Sequence, residues 1–207
     1  MSQTIKAIET TYAGCRVRSR LEARWAVFFD TLGIEWQYES QGYTADGYSY
    51  LPDFWLPNIC GGCHAEVRPP GIANPGEQER LSAIVAGGLP GGLLLLGEIY
   101  RPEMEFKFTH LVRWHDQEST FYPHRYFGND PFLYSHDVLF DHDGLIVHLR
   151  SGIQGRIGRG DSIWNWPDGG TGRALEPYEI NANRDLPLQT ALRAAKQARF
   201  EHGQTPR

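Results

Sequence analysis

Cysteine, long apolar runs and an excess of positive charge are all scarce in this 207-residue chain. The three cysteines, Cys15, Cys60 and Cys63, are an odd number and make no disulfide framework. No apolar run approaches the roughly 20 residues that span a bilayer, and no signal-peptide pattern opens the sequence. A cytoplasmic protein with no membrane partner is therefore expected. The formal net charge of −5 excludes a global basic footprint for nucleic acid.

What is present supports a real core, since 41% of residues are hydrophobic and 13% aromatic. The size fits one domain with a large insertion, or one domain and a small appendage. Charge is unevenly spread: residues 1–33 hold 5 basic and 3 acidic side chains, residues 181–207 hold 5 and 2, and the rest holds 10 and 20. Basic termini packed beside a site could face phosphates, although solvated charged faces look the same in sequence.

Ser19 is placed to cap a helix running to about Leu32, with Gly33 as its stop. Leu21, Trp25, Phe28, Phe29 and Leu32 form one helical stripe, and Glu22 lies on its margin, able to reach a site or to pair with a base such as Arg18. Strands are expected over Ile34–Glu39, Tyr48–Leu56 and Cys63–Val67, with a turn over Gln41–Gly47. A second helix is expected from about Gly76 to Ala86, then a doubly covered strand at Leu93–Leu96. Further on, Phe106–Trp114 and Phe121–Tyr126 read as strands, and Val138–Val147 as a hairpin around Asp143-Gly144. The Gly-Arg repeats within Ser151–Gly172 read as a mobile loop, and Leu188–Phe200 as a closing helix.

The most informative stretch is Tyr50–Pro70, in which Asp53 and Glu66 sit in neighbouring apolar strands. If the strands pair, the two acids face each other, which is costly unless a cation or proton is shared. Hard divalent ions take carboxylate and carbonyl oxygens, so Asp53, Glu66 and the carbonyl of Val67 form a candidate metal site. Between the strands, Cys60-Gly61-Gly62-Cys63-His64 spells the c-type haem attachment string. Haem attachment needs an oxidising compartment, and zinc would find at most three ligands here. A plain Gly-rich connection is the favoured reading.

Pro52-Asp53, Glu66-Val67-Arg68 and an upstream helix bearing Glu22 resemble the PD-(D/E)XK nuclease superfamily, with arginine where lysine is usual. The phrases Arg18-Ser19-Arg20-Leu21-Glu22-Ala23-Arg24-Trp25-Ala26 and Tyr50-Leu51-Pro52-Asp53-Phe54 are similar to phage and bacterial members. The ending Ala198–Gly203 also looks like theirs. The resemblance implies an α/β fold with an α-β-β-β-α-β core and a mixed sheet flanked by helices over residues 1–98. The resemblance does not cover the middle of the chain, where strand patterning and charge read as a β-rich acidic insertion or appendage over 99–183, followed by a C-terminal helix over 184–207. It implies Mg²⁺ or Mn²⁺ as cofactor, Glu22, Asp53, Glu66 and Arg68 as catalytic residues, and DNA as substrate. Arg18, Arg20, Arg156 and Arg159 are candidate nucleic-acid contacts, with Gln78 and Glu77 as further polar groups and Lys107 as a substitute for the lysine. Two readings stay open: a metal-dependent deoxyribonuclease, or a nuclease-fold binding module for nucleic acid or protein, as in phage–host conflict. A protein partner for the acidic insertion and a homodimer are compatible with either.

Overall fold

The computed structural model describes residues 9–68, 75–99, 109–114, 133–141, 144–148, 154–158 and 186–200. They form a mixed α/β structure. Two short strands, β1 (Thr10–Tyr12) and β2 (Cys15–Val17), make an opening hairpin, and helix α1 (Arg20–Leu32) follows. The Ser19 side chain accepts the Glu22 N–H at 3.1 Å. At the other end Gly33 takes φ 70°, Gly33 N–H donates to Asp30 O and Ile34 N–H donates to Phe29 O. This is the Schellman pattern, which needs a residue that tolerates the left-handed region. Start and stop of the helix match the sequence expectation, as does burial of Trp25, Phe28, Phe29 and Leu32, whereas Leu21 is half-buried and Glu22 buried.

Eight strands form one sheet in the order β12-β11-β10-β9-β8-β7-β6-β3. They are β3 (Gln37–Tyr38), β6 (Phe54–Leu56), β7 (Cys63–Val67), β8 (Leu93–Leu96), β9 (Thr109–Trp114), β10 (Leu133–Asp141), β11 (Gly144–His148) and β12 (Gln154–Gly158). Among the described strands of this sheet only β7 and β8 pair in parallel, bridged by helix α2 (Pro75–Ala86). Helix α3 (Leu186–Gln197) closes the described chain.

The four leucines of β8 show how the layers are built. Leu94 and Leu96 join the core made with α1 and α3, whereas Leu93 and Leu95 join Leu81, Ile84 and Val85 of α2. Full burial of such side chains contributes about 1.5–3 kcal/mol each, which is why a run apolar on both faces forms a central strand. Trp25, Phe28, Phe29, Phe54 and Phe140 pack with ring centroids 5.2–5.9 Å apart in the first core. Phe140 belongs to β10, so the described strands of the 99–183 region extend the same sheet and share its core.

Several expectations need correction. The expected strand Tyr48–Leu56 breaks into β5 (Tyr48–Tyr50) and β6, because Pro52 between them has no N–H for a ladder. The expected turn over 41–47 contains β4 (Tyr43–Ala45), which pairs with β5 in a separate hairpin turning at Asp46 (φ 48°) and Gly47 (φ 79°). Ile34–Glu39 contracts to Gln37–Tyr38, with Glu39 at φ 44° ending the extended backbone. Part of the expected loop 151–172 is strand β12, whose backbone pairs with β11. Helix α3 begins at Leu186 and ends at Gln197, short of Phe200. Phe121–Tyr126 lies outside the described residues.

Two loops meet at glycine. A Cβ on Gly91, at φ +71°, would fall 1.5 Å from the carbonyl oxygen of Gly62. Gly91→Ala should therefore destabilise the fold by about 3 kcal/mol or more, through backbone collision added to left-handed strain. Gly14, at φ +79° with nothing within 4 Å, supplies the control. Gly14→Ala should cost only about 1–2 kcal/mol, and urea titration of both variants measures the difference.

Candidate functional site

Three carboxylates from three segments are buried at one end of the sheet: Glu22 at 7%, Asp53 at 3% and Glu66 at 8% exposure. Glu22 stands in the first turn of α1, Asp53 in the bend before β6, and Glu66 on β7. The register Phe54↔Ala65, continued by one residue, sets Asp53 opposite Glu66, as the sequence led us to expect. Glu66 is level with Leu95 of β8, on the side facing α2.

Each acid has strong partners. Glu22 Oε2 accepts from the Arg18 backbone N–H at 3.0 Å and from the Tyr38 hydroxyl at 2.6 Å. Asp53 Oδ1 accepts from Arg18 Nη2 and Oδ2 from the Val67 N–H, both at 2.7 Å. Arg18 Nε also lies 2.7 Å from Glu39 Oε1. Glu66 Oε2 accepts from the buried Tyr50 hydroxyl at 2.8 Å, and Arg68 Nη2 lies 2.9 Å from Glu66 Oε1. Arg68 Nη1 pairs with Glu77 on α2. Val67 thus enters the cluster through its N–H, where the sequence reading used its carbonyl.

Negative charge is in excess here. Five carboxylates (Glu22, Glu39, Asp53, Glu66, Glu77) meet the guanidiniums of Arg18 and Arg68, with Arg80 acting on Glu66 from farther off. Burial, reinforced by Glu66 and Glu22, pushes the Asp53 carboxyl up to about 8, outweighing the Val67 N–H and Arg18. Burial also raises Glu66, with Arg68 and Tyr50 opposing it. The Tyr50 hydroxyl is held well above its ordinary value by burial and by Glu66.

Among the described residues, no three His, Cys, Asp or Glu side chains are arranged to hold a metal ion as they stand. Arg18 and Arg68 lie against the Asp53 and Glu66 oxygens that would serve. In chemical type alone, buried carboxylates are the oxygen donors that hard divalent cations take.

Arg20 opens α1 and is half-buried. Arg156 is level with Ile146 on β12, five strands from β7, or about 24 Å of sheet at roughly 4.8 Å per strand, so the sheet does not bring it to the acids. Gln78 follows Glu77 on α2. Arg159 and Lys107 lie outside the described residues.

Tyr38, Glu39, Tyr50 and Arg80 were missed. Arg80 had a legible signal, because it lies three residues after Glu77 and so on the same helical face. The tyrosines had none: they read as ordinary apolar strand positions.

The Cys60–His64 string takes a structural role. Cys60 and Cys63 lie in the first core at 2% and 0% exposure, turned away from any external haem. His64 Nε2 lies 2.9 Å from the Tyr43 hydroxyl, and burial lowers its pKa to about 4.

No family model, curated protein or solved structure matches the chain. Among the described residues no helix is long and apolar enough to cross a membrane.

Proposed function

We propose that this chain is a divalent-metal-dependent nuclease that hydrolyses DNA phosphodiester bonds on a PD-(D/E)XK-like core. The observation that carries the reading is the meeting of Glu22, Asp53 and Glu66, all buried, beside Arg18 and Arg68. The order α1, β3, β6, β7, α2, β8 supports it, with the hairpin β4–β5 interposed. Asp53 and Glu66 would hold Mg²⁺ or Mn²⁺, and Glu22 would contact it directly or through water. Such an ion supplies charge stabilisation at the phosphate and a more acidic water.

The chain's own residues do the positioning. Arg68 stays protonated at neutral pH, so it cannot accept a proton, but its planar fork can stabilise charge developing on the phosphate. Its side chain is anchored by Glu66 and Glu77 and its backbone N–H donates to Leu96 O at 2.7 Å, which fixes the start of its stem. The Val67 N–H and Arg18 orient the Asp53 carboxylate.

A second reading, a nuclease-fold binding module, draws on one observation. Arginine stands where a general base would be needed and is already engaged by two carboxylates. Cleavage of labelled single-stranded, duplex and branched DNA in Mg²⁺, Mn²⁺ or EDTA separates the two. The nuclease cuts only with metal. A module cuts nothing, and its DNA binding is indifferent to EDTA.

A further inference from the structure

Beside Tyr50 and Glu66, the hairpin β4–β5 and helix α2 border an open cavity of about 510 Å³. That volume falls within the roughly 300–1,000 Å³ of small-molecule sites. Its charged lining is Arg18, Arg80 and Glu66, with Arg18 Nε and Nη2 already engaged by Glu39 and Asp53, so that Arg80 is the cation these ion pairs leave to the cavity. The guanidinium of Arg80 stands 5.7 Å from the Tyr50 ring centroid, and its buried Nε has no hydrogen-bond partner. A guanidinium at a cavity wall can hold a phosphate through its planar fork.

The rest of the lining is of a different kind. Leu51 is 39% exposed, one of two large hydrophobic side chains so exposed among the described residues. Tyr43 is half-buried, its ring held by the contact of its hydroxyl with His64. An apolar and aromatic surface beside a guanidinium matches a ligand that carries both a flat base and a phosphate.

We infer that this cavity receives one unpaired nucleotide, its phosphate at Arg80 and its base against Tyr43 and Leu51. The inference rests on the nuclease reading for its place in the reaction, since Glu66 and Arg18 belong to both sites. A base inside a duplex cannot enter without leaving the stack. Single-stranded or frayed DNA is therefore the favoured substrate.

The test is calorimetric titration of the full chain, in EDTA, with deoxyadenosine 5′-monophosphate, deoxyadenosine and inorganic phosphate. The nucleotide should bind at least about tenfold more tightly than either fragment. Arg80→Met should weaken it about tenfold, and so should Thr44→Trp, which obstructs the cavity from an exposed hairpin position without touching the acids. No nucleotide binding up to about 10 mM, or binding unchanged in both variants, overturns the inference. Parallel cleavage assays keep the two readings apart. Metal-dependent cutting without nucleotide binding sinks the pocket and leaves the nuclease; nucleotide binding without cutting does the reverse.

Discussion

Asp53→Asn is expected to lower metal-dependent cleavage by about a thousandfold and, in the same protein, to raise the melting temperature of the metal-free form at alkaline pH. The first effect follows from losing an anionic ligand. The second follows from burial: the folded carboxyl titrates at about 8, against 3.8 as its ordinary value. A folded pKa raised in this way contributes stability that is complete below the unfolded value and is lost as pH rises through about 8. Metal-free wild type should therefore melt at lower temperature at about pH 9 than at about pH 6, and the asparagine variant should show a shallower slope. Thermal unfolding in EDTA at both pH values checks this. A variant that melts below wild type at the higher pH would show that the Arg18–Asp53 pair outweighs the cost of burying the charge.

Arg68 carries the second large effect. Its side chain is 21% exposed and spans Glu66 and Glu77, so Arg68→Ala leaves two carboxylates facing each other without their shared counter-ion. Breaking a fully buried pair costs about 3–5 kcal/mol, and partial exposure reduces this to about 2 kcal/mol. Cleavage should fall about a hundredfold, the size of effect seen when one donor to a developing anion is removed. Arg68→Lys should recover only part of the stability, because a single ammonium cannot reach two carboxylates with a planar fork. It should also introduce a pH-dependent limb in the rate that wild type lacks, since lysine can lose its proton and arginine cannot. Denaturant titration and a single-turnover pH profile measure the two consequences separately.

The parts of the fold legible in the sequence are those set by local chemistry. Ser19, the Trp25–Phe28–Phe29–Leu32 stripe and Gly33 determine α1 between them, and Leu93–Leu96 reads as a doubly buried strand from composition alone. Asp53 and Glu66 could be set opposite each other because the strands bearing them are joined by a short Gly-rich connection. The split at Pro52 was signalled by the missing N–H, yet the aromatic run on either side outweighed it.

Features built from distant contacts were not legible. Tyr38 and Glu22 are 16 residues apart, as are Tyr50 and Glu66, and their hydroxyl–carboxylate bonds exist only once the hairpin and sheet have formed. Arg18 was expected to face phosphate, but folding also brings it to Asp53, 35 residues away. Strand β12 was masked by its glycines, whose weak intrinsic preference is overridden by pairing with β11.

A nuclease of the proposed kind requires that the three acids share a divalent cation. The most direct measurement is calorimetric titration of Mn²⁺ into metal-free protein at about pH 8, comparing wild type with Asp53→Asn and Glu66→Gln. Wild type should bind saturably with proton release, and each variant should bind at least about a hundredfold more weakly. No saturable binding by folded wild type, or binding unchanged in both variants, would contradict the nuclease reading.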